Sequence, residues 1–280
     1  MKITIIESGY FKLDGGAMFG VVPKKMWQKL NPPDEQNMCT WAMRCLLIEQ
    51  GDRKILIDTG MGDKQDAKFR SHFSPFGEKT LVESLADAGL APGEITDVLL
   101  THFHFDHVGG AVKIGEKGDY ELTFPNATHW TNELHYKWAF DPNPRERASF
   151  LKENFVPILK SGKLKYIDVQ KEDLNWLPNI DLRFVYGHTE AMMLPIINYN
   201  GQKILYCADL MPSTGHIGLP YVMAYDIRPL VTIEERRRMI EEATTQDLRL
   251  FLEHDPKTAL ISLKRNDRGR AVLGEVFENF

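Results

Sequence analysis

Hydrophobic positions near the start of the chain alternate with polar ones or form short apolar runs, which is the pattern of β-strands. Strands are predicted at 3–7, 45–50 and 54–58. Gly51-Asp52, between the last two, is a hairpin turn signal. The chain is therefore predicted to open with a meander of strands.

The period of the apolar positions lengthens between 77 and 88, where Leu81 and Leu85 fall on one helical face. Gly89 follows, and glycine is a residue that commonly ends a helix. This segment is predicted to be a helix, and a further strand is predicted at 97–101.

The middle of the sequence, 126–155, is rich in aromatic residues and is broken by Pro142 and Pro144. Proline interrupts both helices and central strands. The segment is therefore predicted to form helices and a loop outside the sheet.

The β pattern returns in the last third of the chain. Strands are predicted at 182–186, 193–198, 203–207 and 249–253. Asn200-Gly201 is a turn signal between two of them. Thr232 and Glu235 have the spacing of a capping box, which predicts a helix from there to about residue 245.

Composition places the chain among folded globular proteins, because 43% of its residues are apolar and 26% are charged. No repeat, low-complexity segment or linker divides it, so a single domain over 1–280 is predicted. The net charge of −5 argues against a nucleic-acid partner, which usually requires a basic surface. The one basic run, 236–238, lies between acidic pairs and is predicted to be a solvated helix face.

Cysteine spacing and apolar runs suggest a reducing, cytoplasmic environment. Cys39, Cys45 and Cys207 share no CxxC spacing, so buried, reduced thiols are predicted rather than disulfides or a thiolate metal site. The first fourteen residues lack the apolar centre of a secretory signal. No apolar stretch is long enough to span a membrane, so no membrane partner is expected.

Four residues just after the predicted strand at 97–101 form an HxHxDH motif: His102, His104, Asp106 and His107. In an extended segment residues i and i+2 point to the same side, so both histidines of the HxH half can direct their imidazoles at one cation. Asp106 and His107 follow at the turn into a helix and can face a second cation. The motif favours a metal site over scattered structural histidines.

Further candidate ligands follow predicted strands later in the chain: His188, Asp209 and His254. Strand ends at one edge of a layered α/β fold can build a shared site from distant parts of a sequence. Imidazole and carboxylate donors suit zinc, iron, manganese or cobalt. Histidines without a motif are predicted to be structural or at the surface: His72, His129 and His135.

The sequence resembles the metallo-β-lactamase superfamily in the order and spacing of five features: 56–60, 101–110, 187–189, Asp209 and His254. This resemblance implies an α/β (α+β) fold, the four-layer αββα sandwich. It also implies one metal bound by His102, His104 and His188, a second bound by Asp106, His107 and His254, and Asp209 bridging the two.

A finer similarity, to the quorum-quenching lactonase branch that includes N-acyl homoserine lactonases, is found in 14–20, Pro23, Trp27 and 209–212. It implies a substrate pocket that includes Met18, Phe19 and Trp27. Ordinary packing is the alternative role for these three residues.

Two positions depart from the patterns of these families. In superfamily members the histidine that corresponds to His188 often stands in the sequence GHTxG. Here Ala191 occupies the position of the second glycine, and its Cβ is predicted to change the turn. Acyl homoserine lactonases often have a tyrosine three residues after the bridging Asp, and that position is Pro212 here. His216, Tyr221 or Tyr225 can take its role in polarising the substrate, with loop packing as the alternative.

The ligand set and the resemblance together predict a hydrolase that uses a metal-bridging hydroxide on a lactone or small neutral ester. Asp106 or Asp209 is predicted to transfer the proton. Asp58 is predicted to orient a ligand imidazole, with turn capping as the alternative. Two divalent metal ions are expected, zinc first and iron, manganese or cobalt as alternatives, with a small molecule as substrate.

Other functions stay open because this scaffold hosts many chemistries. Phosphotriester, thioester and β-lactam hydrolysis use the same type of site. An iron-dependent oxidoreductase is disfavoured by the lack of a flavin domain, and a nuclease by the net charge and the lack of a long inserted module. A non-catalytic binding protein is disfavoured by the intact ligand set. The aromatic residues of 126–155 suit a homodimer interface or a hydrophobic pocket equally.

Overall fold

The structure is a computed structural model that describes residues 1–280. The strands are β1 (Lys2–Asp14), β2 (Met38–Gln50), β3 (Arg53–Ile57), β4 (Asp97–Leu99), β5 (Val112–Ile114), β6 (Tyr120–Leu122), β7 (Thr128–Thr131), β8 (Leu164–Tyr166), β9 (Leu174–Leu177), β10 (Ile180–Val185), β11 (Met192–Tyr199), β12 (Gln202–Tyr206), β13 (Leu248–Phe251), β14 (Leu260–Arg265) and β15 (Ala271–Phe277). The α-helices are α1 (Gly15–Phe19), α2 (Lys24–Trp27), α3 (Ala67–Phe73), α4 (Leu81–Asp87), α5 (Phe105–Val108), α6 (Glu133–Phe140), α7 (Lys152–Lys160) and α8 (Pro229–Thr245). Short 3-10 turns lie at Pro92–Glu94, Gly109–Ala111, Ala208–Leu210 and Thr214–His216.

The chain divides into two compact units. Unit 1 contains Met1–Phe11 and Ala42–Val169, and unit 2 contains Lys12–Trp41 and Gln170–Phe280. The single domain over 1–280 stays a prediction, and the two units are described separately.

Unit 1 is built on a six-stranded sheet with the order β1-β2-β3-β4-β7-β8. β2 and β3 are antiparallel, whereas β3, β4, β7 and β8 run parallel to one another. A buried core joins Leu47 and Leu56 of the sheet to Leu85 of α4 and Phe155 of α7. Val98 of β4 belongs to the same core, which fixes the position of the strand that leads into the HxHxDH motif.

The predicted elements of unit 1 are largely confirmed. β2 and β3 form the expected hairpin around Gly51-Asp52, and α4 begins after Thr80, which forms a capping box with Glu83. The placement of 126–155 outside the sheet was wrong in part, because β7 pairs with both β4 and β8. A strand of four residues is too short to show a clear period, and its parallel neighbours, distant in sequence, supply its hydrogen bonds.

Unit 2 is built on a seven-stranded sheet with the order β15-β14-β13-β12-β11-β10-β9. Its pairs are antiparallel except for β12 and β13, which are parallel. The four strands predicted in this part of the chain correspond to β10, β11, β12 and β13. Asn200 and Gly201 both have positive φ angles, 49° and 81°, as a tight hairpin turn between twisted strands requires.

The helix predicted near the C-terminus exists, but its predicted capping box does not. α8 begins at Pro229, so Thr232 lies inside the helix. Proline is favoured in the first helical turn because it has no N–H to leave unpaired. The carboxylate of Glu235 instead accepts hydrogen bonds from the backbone N–H groups of Tyr186 and Gly187, at 2.6 and 3.0 Å.

The prediction of a solvated face for 236–238 was wrong for Arg236. Its side chain is fully buried and donates hydrogen bonds to the carbonyls of Tyr221 and Gly218, at 2.8 and 3.2 Å. Burial lowers the pKa of this guanidinium to about 10, so it stays charged at neutral pH. Arg237 and Arg238 are exposed, as predicted, and pair with glutamates on α8. Arg236 therefore ties α8 to the loop before it.

All three cysteines are buried and form no disulfide, as predicted. Burial raises the pKa of the Cys39 thiol to about 11, and it raises that of Cys207 as well. No helix combines the length and the apolar character that crossing a membrane requires.

We expect Arg236→Met to lower the free energy of unfolding by about 2 kcal/mol, because two buried carbonyls would lose a charged donor. Chemical denaturation, read at the transition midpoint, measures this loss. Arg237→Met is the matched control, because its side chain is exposed and its loss should cost less than about 0.5 kcal/mol. Equal effects of the two substitutions would contradict the structural role of Arg236.

Candidate metal centre

The HxHxDH motif of unit 1 forms a buried cluster just beyond β4. His102 Nε2 and His104 Nδ1 face each other at 3.1 Å, and their rings lie nearly edge to face. Asp106 and His107 follow in α5, with 3.8 Å between a carboxylate oxygen of Asp106 and His107 Nε2. All four residues are less than 10% exposed. Unit 1 thus directs three imidazoles and one carboxylate into a small volume.

Asp58 holds the motif from the end of β3. One of its oxygens accepts hydrogen bonds from Thr101 Oγ1, at 2.7 Å, and contacts His107 Nδ1 at 3.0 Å. The other accepts from the Thr101 backbone N–H at 2.8 Å. Because Nδ1 of His107 faces a carboxylate, its Nε2 is the nitrogen available to a cation. The carboxylate of Asp58 thus contacts the imidazole of His107, and its role in orienting a metal ligand stays a prediction.

The two glycines after the motif are required by close backbone approach. A Cβ on Gly109 would lie 2.0 Å from the carbonyl oxygen of Met61, and a Cβ on Gly110 would lie 2.1 Å from that of Thr59. Thr59 also donates hydrogen bonds from its N–H and its hydroxyl to the carbonyl of His107, at 2.7 and 2.8 Å. The loop after β3 and the end of the motif thus form one packed unit.

Two further residues support the motif in unit 1. His135 Nε2 accepts a hydrogen bond from the backbone N–H of Phe103 at 2.8 Å, which holds the segment between the first two histidines. Glu146 is buried, and one of its oxygens lies 3.6 Å from His104 Nε2. Sequence reasoning missed Glu146, because it belongs to no motif. His129 is a buried residue of β7, whereas His72 is exposed on α3.

Unit 2 carries a second buried cluster, centred on Asp209. His188 follows β10, Asp209 lies in the 3-10 turn after β12, and His254 follows β13. The two carboxylate oxygens of Asp209 face different imidazoles, at 3.0 Å from His188 Nε2 and 3.1 Å from His254 Nε2. Asp209 is thus placed as a bridging carboxylate would be.

Asp226 is the partner of His188 and was not predicted. Its Oδ1 lies 2.8 Å from His188 Nδ1, so Nε2 of His188 is directed at Asp209. Burial alone would lower the pKa of His188, but Asp209 and Asp226 outweigh it and raise this pKa to about 10. The surroundings of His188 thus favour positive charge, as a cation site requires. Only its place just before α8 could have drawn attention to Asp226.

Backbone strain marks several positions next to the candidate ligands. Ala208, just before Asp209, has φ +40°, and Asp58 has φ +57°. Ala191, in the turn after His188, has φ +49°. Such values favour glycine, and other residues adopt them at a cost where the surrounding structure imposes them. The turn after His188 therefore keeps a glycine-like conformation despite the Cβ of Ala191.

The N-terminal segment of unit 2 packs as a buried aromatic stack. Phe19 stacks on Trp27 at 5.2 Å and on His216 at 4.6 Å between ring centroids. Both nitrogens of His216 are engaged: Nδ1 lies 2.8 Å from Ser213 Oγ, and Nε2 lies 2.9 Å from the carbonyl oxygen of Met18. These contacts give His216 a packing role. Met18, Phe19 and Trp27 are each at most 1% exposed.

The two tyrosines predicted as substitutes for the lactonase tyrosine lie in the loop before α8. Tyr221 meets Phe19 edge to face, at 6.3 Å between ring centroids. Tyr225 is 36% exposed and directly precedes Asp226. Pro212 is buried, and its carbonyl accepts a hydrogen bond from the backbone N–H of His254 at 3.2 Å.

Buried imidazole and carboxylate clusters at strand ends of a mixed α/β fold define a class of divalent-metal proteins. The family model of the metallo-beta-lactamase superfamily matches residues 44–262, and the chain belongs to this superfamily. The predicted fold class, mixed α/β of the metallo-β-lactamase type, is confirmed. The protein is thus a member of a metallo-hydrolase superfamily.

Curated relatives point to the lactonase branch at low identity. The chain is similar to N-acyl homoserine lactonase AttM of Rhizobium radiobacter, with 24% identity over 180 residues. That match covers 62% of this chain and 64% of the relative, so it spans less than two thirds of the relative's length. The predicted resemblance to this branch is confirmed.

Solved structures share the fold over nearly the whole chain. A probable metal-dependent hydrolase from Staphylococcus aureus has a TM-score of 0.84 and 29% identity, covering 99% of this chain and 98% of its own. AidC, a dizinc quorum-quenching lactonase solved in complex with a product, has a TM-score of 0.78 and 23% identity. Its match covers 99% of this chain and 95% of AidC, and it shows likeness of fold.

The residues present fit the divalent metal ions that this fold implies. Each cluster is buried and offers only nitrogen and oxygen donors. The donors His102 Nε2 and His104 Nδ1 are close enough to share one cation at the usual ligand distance of about 2.0–2.1 Å. The carboxylate of Asp209 offers one oxygen to each side of its cluster.

We expect Ala191→Gly to stabilise the protein by up to about 1 kcal/mol. Relief of the left-handed strain, about 1–2 kcal/mol, exceeds the entropic cost of glycine, about 0.5–1 kcal/mol. The measurement is the denaturant midpoint. Ala86→Gly, at an exposed position of α4, is the control. It should change the free energy of unfolding in the opposite direction, lowering it by about 1 kcal/mol. A loss of stability in both variants would show that Ala191 is not strained.

Acid should destabilise unit 2 through His216. Burial lowers the pKa of His216 to about 3, whereas the unfolded value is about 6.5. Between these values the unfolded chain binds the extra proton, so this contribution is complete above pH 6.5 and is lost as the pH falls. Each pH unit below 6.5 should cost about 1.4 kcal/mol.

Unfolding curves measured from pH 7.5 to 4.5 test this pH dependence. His216→Gln should lower the slope of stability against pH by about 1.4 kcal/mol per pH unit, because the amide has no proton to bind in this range. His72→Gln, at an exposed position, should leave the slope as in the wild type. An unchanged slope in His216→Gln would refute the assignment.

Proposed function

We propose that the protein is a two-metal hydrolase that opens a lactone or a small neutral ester. The observation that carries the proposal is the pair of buried His and Asp clusters on a metallo-β-lactamase fold. The similarity to N-acyl homoserine lactonase AttM supports a lactone as substrate. A small-molecule substrate also agrees with the net charge of −5, which disfavours polyanions.

We propose the ligand order that the superfamily resemblance implies. One cation would be held by His102, His104 and His188, a second by Asp106, His107 and His254, and Asp209 would belong to both. Zinc is the preferred ion, because it commonly takes imidazole nitrogen and carboxylate oxygen ligands. Iron, manganese and cobalt are the alternatives that the same donors accept.

Bound divalent cations lower the pKa of a water molecule towards neutrality and polarise a carbonyl oxygen. The residues of the chain orient the metal-binding side chains: Asp58 directs the imidazole of His107, and Asp226 directs that of His188. Asp106 or Asp209 is proposed to accept the proton of the attacking water and to return it to the leaving alkoxide. Both carboxylates are mostly buried, which keeps these proton transfers away from bulk solvent.

The group that polarises the substrate in place of the lactonase tyrosine is proposed to be Tyr221 or Tyr225. His216 is the weakest of the three predicted residues, because both of its nitrogens already have partners. Met18, Phe19 and Trp27 are proposed to shape the substrate pocket from behind, since their side chains are buried in the stack of unit 2. A homodimer stays a prediction.

We expect the zinc-loaded protein to open acyl homoserine lactones or other γ- or δ-lactones. Proton release in a weakly buffered solution measures the rate, and elemental analysis measures the metal content. Removal of metal by a chelator should lower kcat/KM by at least about 100-fold, and added zinc should restore it, because metal catalysis supplies several kcal/mol. Asp209→Ala should lose activity and metal together.

His72→Ala is the matched control, because this histidine is exposed and belongs to neither cluster. It should keep full activity and full metal content. Esters, thioesters, phosphotriesters and β-lactams belong in the same screen. Lactones left intact while one of the other classes is hydrolysed would refute the lactonase proposal, and a metal-free, inactive wild type would refute the hydrolase itself.

A further inference from the structure

We propose that Glu146 is a positioning residue for the metal centre, acting on a cation through the imidazole of His104. The inference rests on the proposed function, since it assigns a role at the same site. Its basis is geometric: a buried carboxylate from a loop outside every recognised motif is held next to a candidate ligand.

The carboxylate of Glu146 is fixed on one side by two donors. Oε2 accepts hydrogen bonds from Trp138 Nε1, at 2.7 Å, and from Asn143 Nδ2, at 2.5 Å. Glu146 is 3% exposed, and its backbone N–H donates to the side-chain oxygen of Asn143 at 3.2 Å. With Oε2 engaged in this way, Oε1 is the oxygen that faces His104 Nε2, at 3.6 Å.

The imidazole of His104 is held in the matching orientation. Its Nδ1 lies 3.1 Å from His102 Nε2, which makes Nδ1 the nitrogen directed at a shared cation. The ring packs against Phe150 at 4.7 Å between centroids. The backbone N–H of Phe105 donates to the carbonyl of Ser149 at 3.0 Å, which ties the motif to the turn that carries Glu146.

A cation on Nδ1 requires the proton of a neutral imidazole to lie on Nε2, where it points at Glu146. The separation of 3.6 Å is within ion-pair range and longer than a hydrogen bond, and such contacts often tighten when a site is filled. A carboxylate that accepts this N–H fixes the tautomer and raises the electron density on the ligating nitrogen. Glu146 would thus do for His104 what Asp58 does for His107.

Glu146→Gln is a sharp test because the two donors on Oε2 dictate the orientation of the amide. The amide oxygen must take the position of Oε2 to accept from Trp138 and Asn143. The amide NH2 then faces the N–H of His104, so two donors oppose each other. We expect zinc affinity, measured by competition with a chromophoric chelator, to fall about 10–100-fold at one site.

Asp97→Asn is the matched control. Asp97 is a buried carboxylate of unit 1 that also accepts an indole N–H, from Trp130 at 2.9 Å, but it does so on β4 beside Arg53. It should leave zinc affinity within about twofold of the wild type. A second readout is the imidazole N–H proton resonance of His104 in the zinc-loaded protein, which should shift in Glu146→Gln and persist in Asp97→Asn. Glu146→Asp, which keeps the charge, should lose less zinc affinity than Glu146→Gln. It replaces Glu146→Gln as the test variant if the amide variant does not fold.

Unchanged zinc affinity in Glu146→Gln, or an equal loss in Asp97→Asn, would overturn the inference while leaving the hydrolase proposal intact. A wild type that binds no divalent cation would overturn both. A loss of zinc affinity specific to Glu146, in a protein that cleaves no lactone, would support the inference and refute only the lactone substrate.

Discussion

The orientation of the ligand imidazoles is the constraint on which the proposed site depends. Each histidine can offer only one ring nitrogen to a cation, and the partner of the other nitrogen selects it. Asp58 makes this selection for His107, and Asp226 makes it for His188. Both carboxylates are buried, where electrostatic contacts are stronger than in water and misplacement costs more. The packing around these acids therefore determines which ring nitrogen each of the two imidazoles can offer to a cation.

Several backbone conformations near the clusters are strained, which is consistent with a need to fix the orientation of the imidazoles. Asp58 and Ala208 adopt positive φ angles, and so does Ala191 in the turn after His188. Strain of this kind persists where surrounding contacts impose it, and it gathers at functional sites. In unit 1 the contacts of Gly109 and Gly110 with the loop after β3 supply part of that support. The surrounding packing thus holds these strained conformations at a local cost in stability.

The aromatic stack of unit 2 contains residues that were predicted to line a substrate pocket. Their contacts give them a structural role. Phe19 lies between Trp27 and His216, and the buried His216 bonds to the backbone of Met18. Further along, Arg236 ties the loop that contains Asp226 to α8. These buried side chains therefore hold the loops of unit 2 in place.

The sequence by itself determined the donor chemistry, because HxHxDH places four imidazole and carboxylate side chains in one short segment and its local geometry directs them together. It also determined the hairpins at Gly51 and Asn200, since turn residues act on their immediate neighbours. Only the tertiary structure decided that Asp226 approaches His188, that Glu146 approaches His104, that Arg236 is buried and that β7 joins the sheet. These outcomes depend on contacts between segments far apart in the chain, and periodicity and spacing carry no information about such contacts.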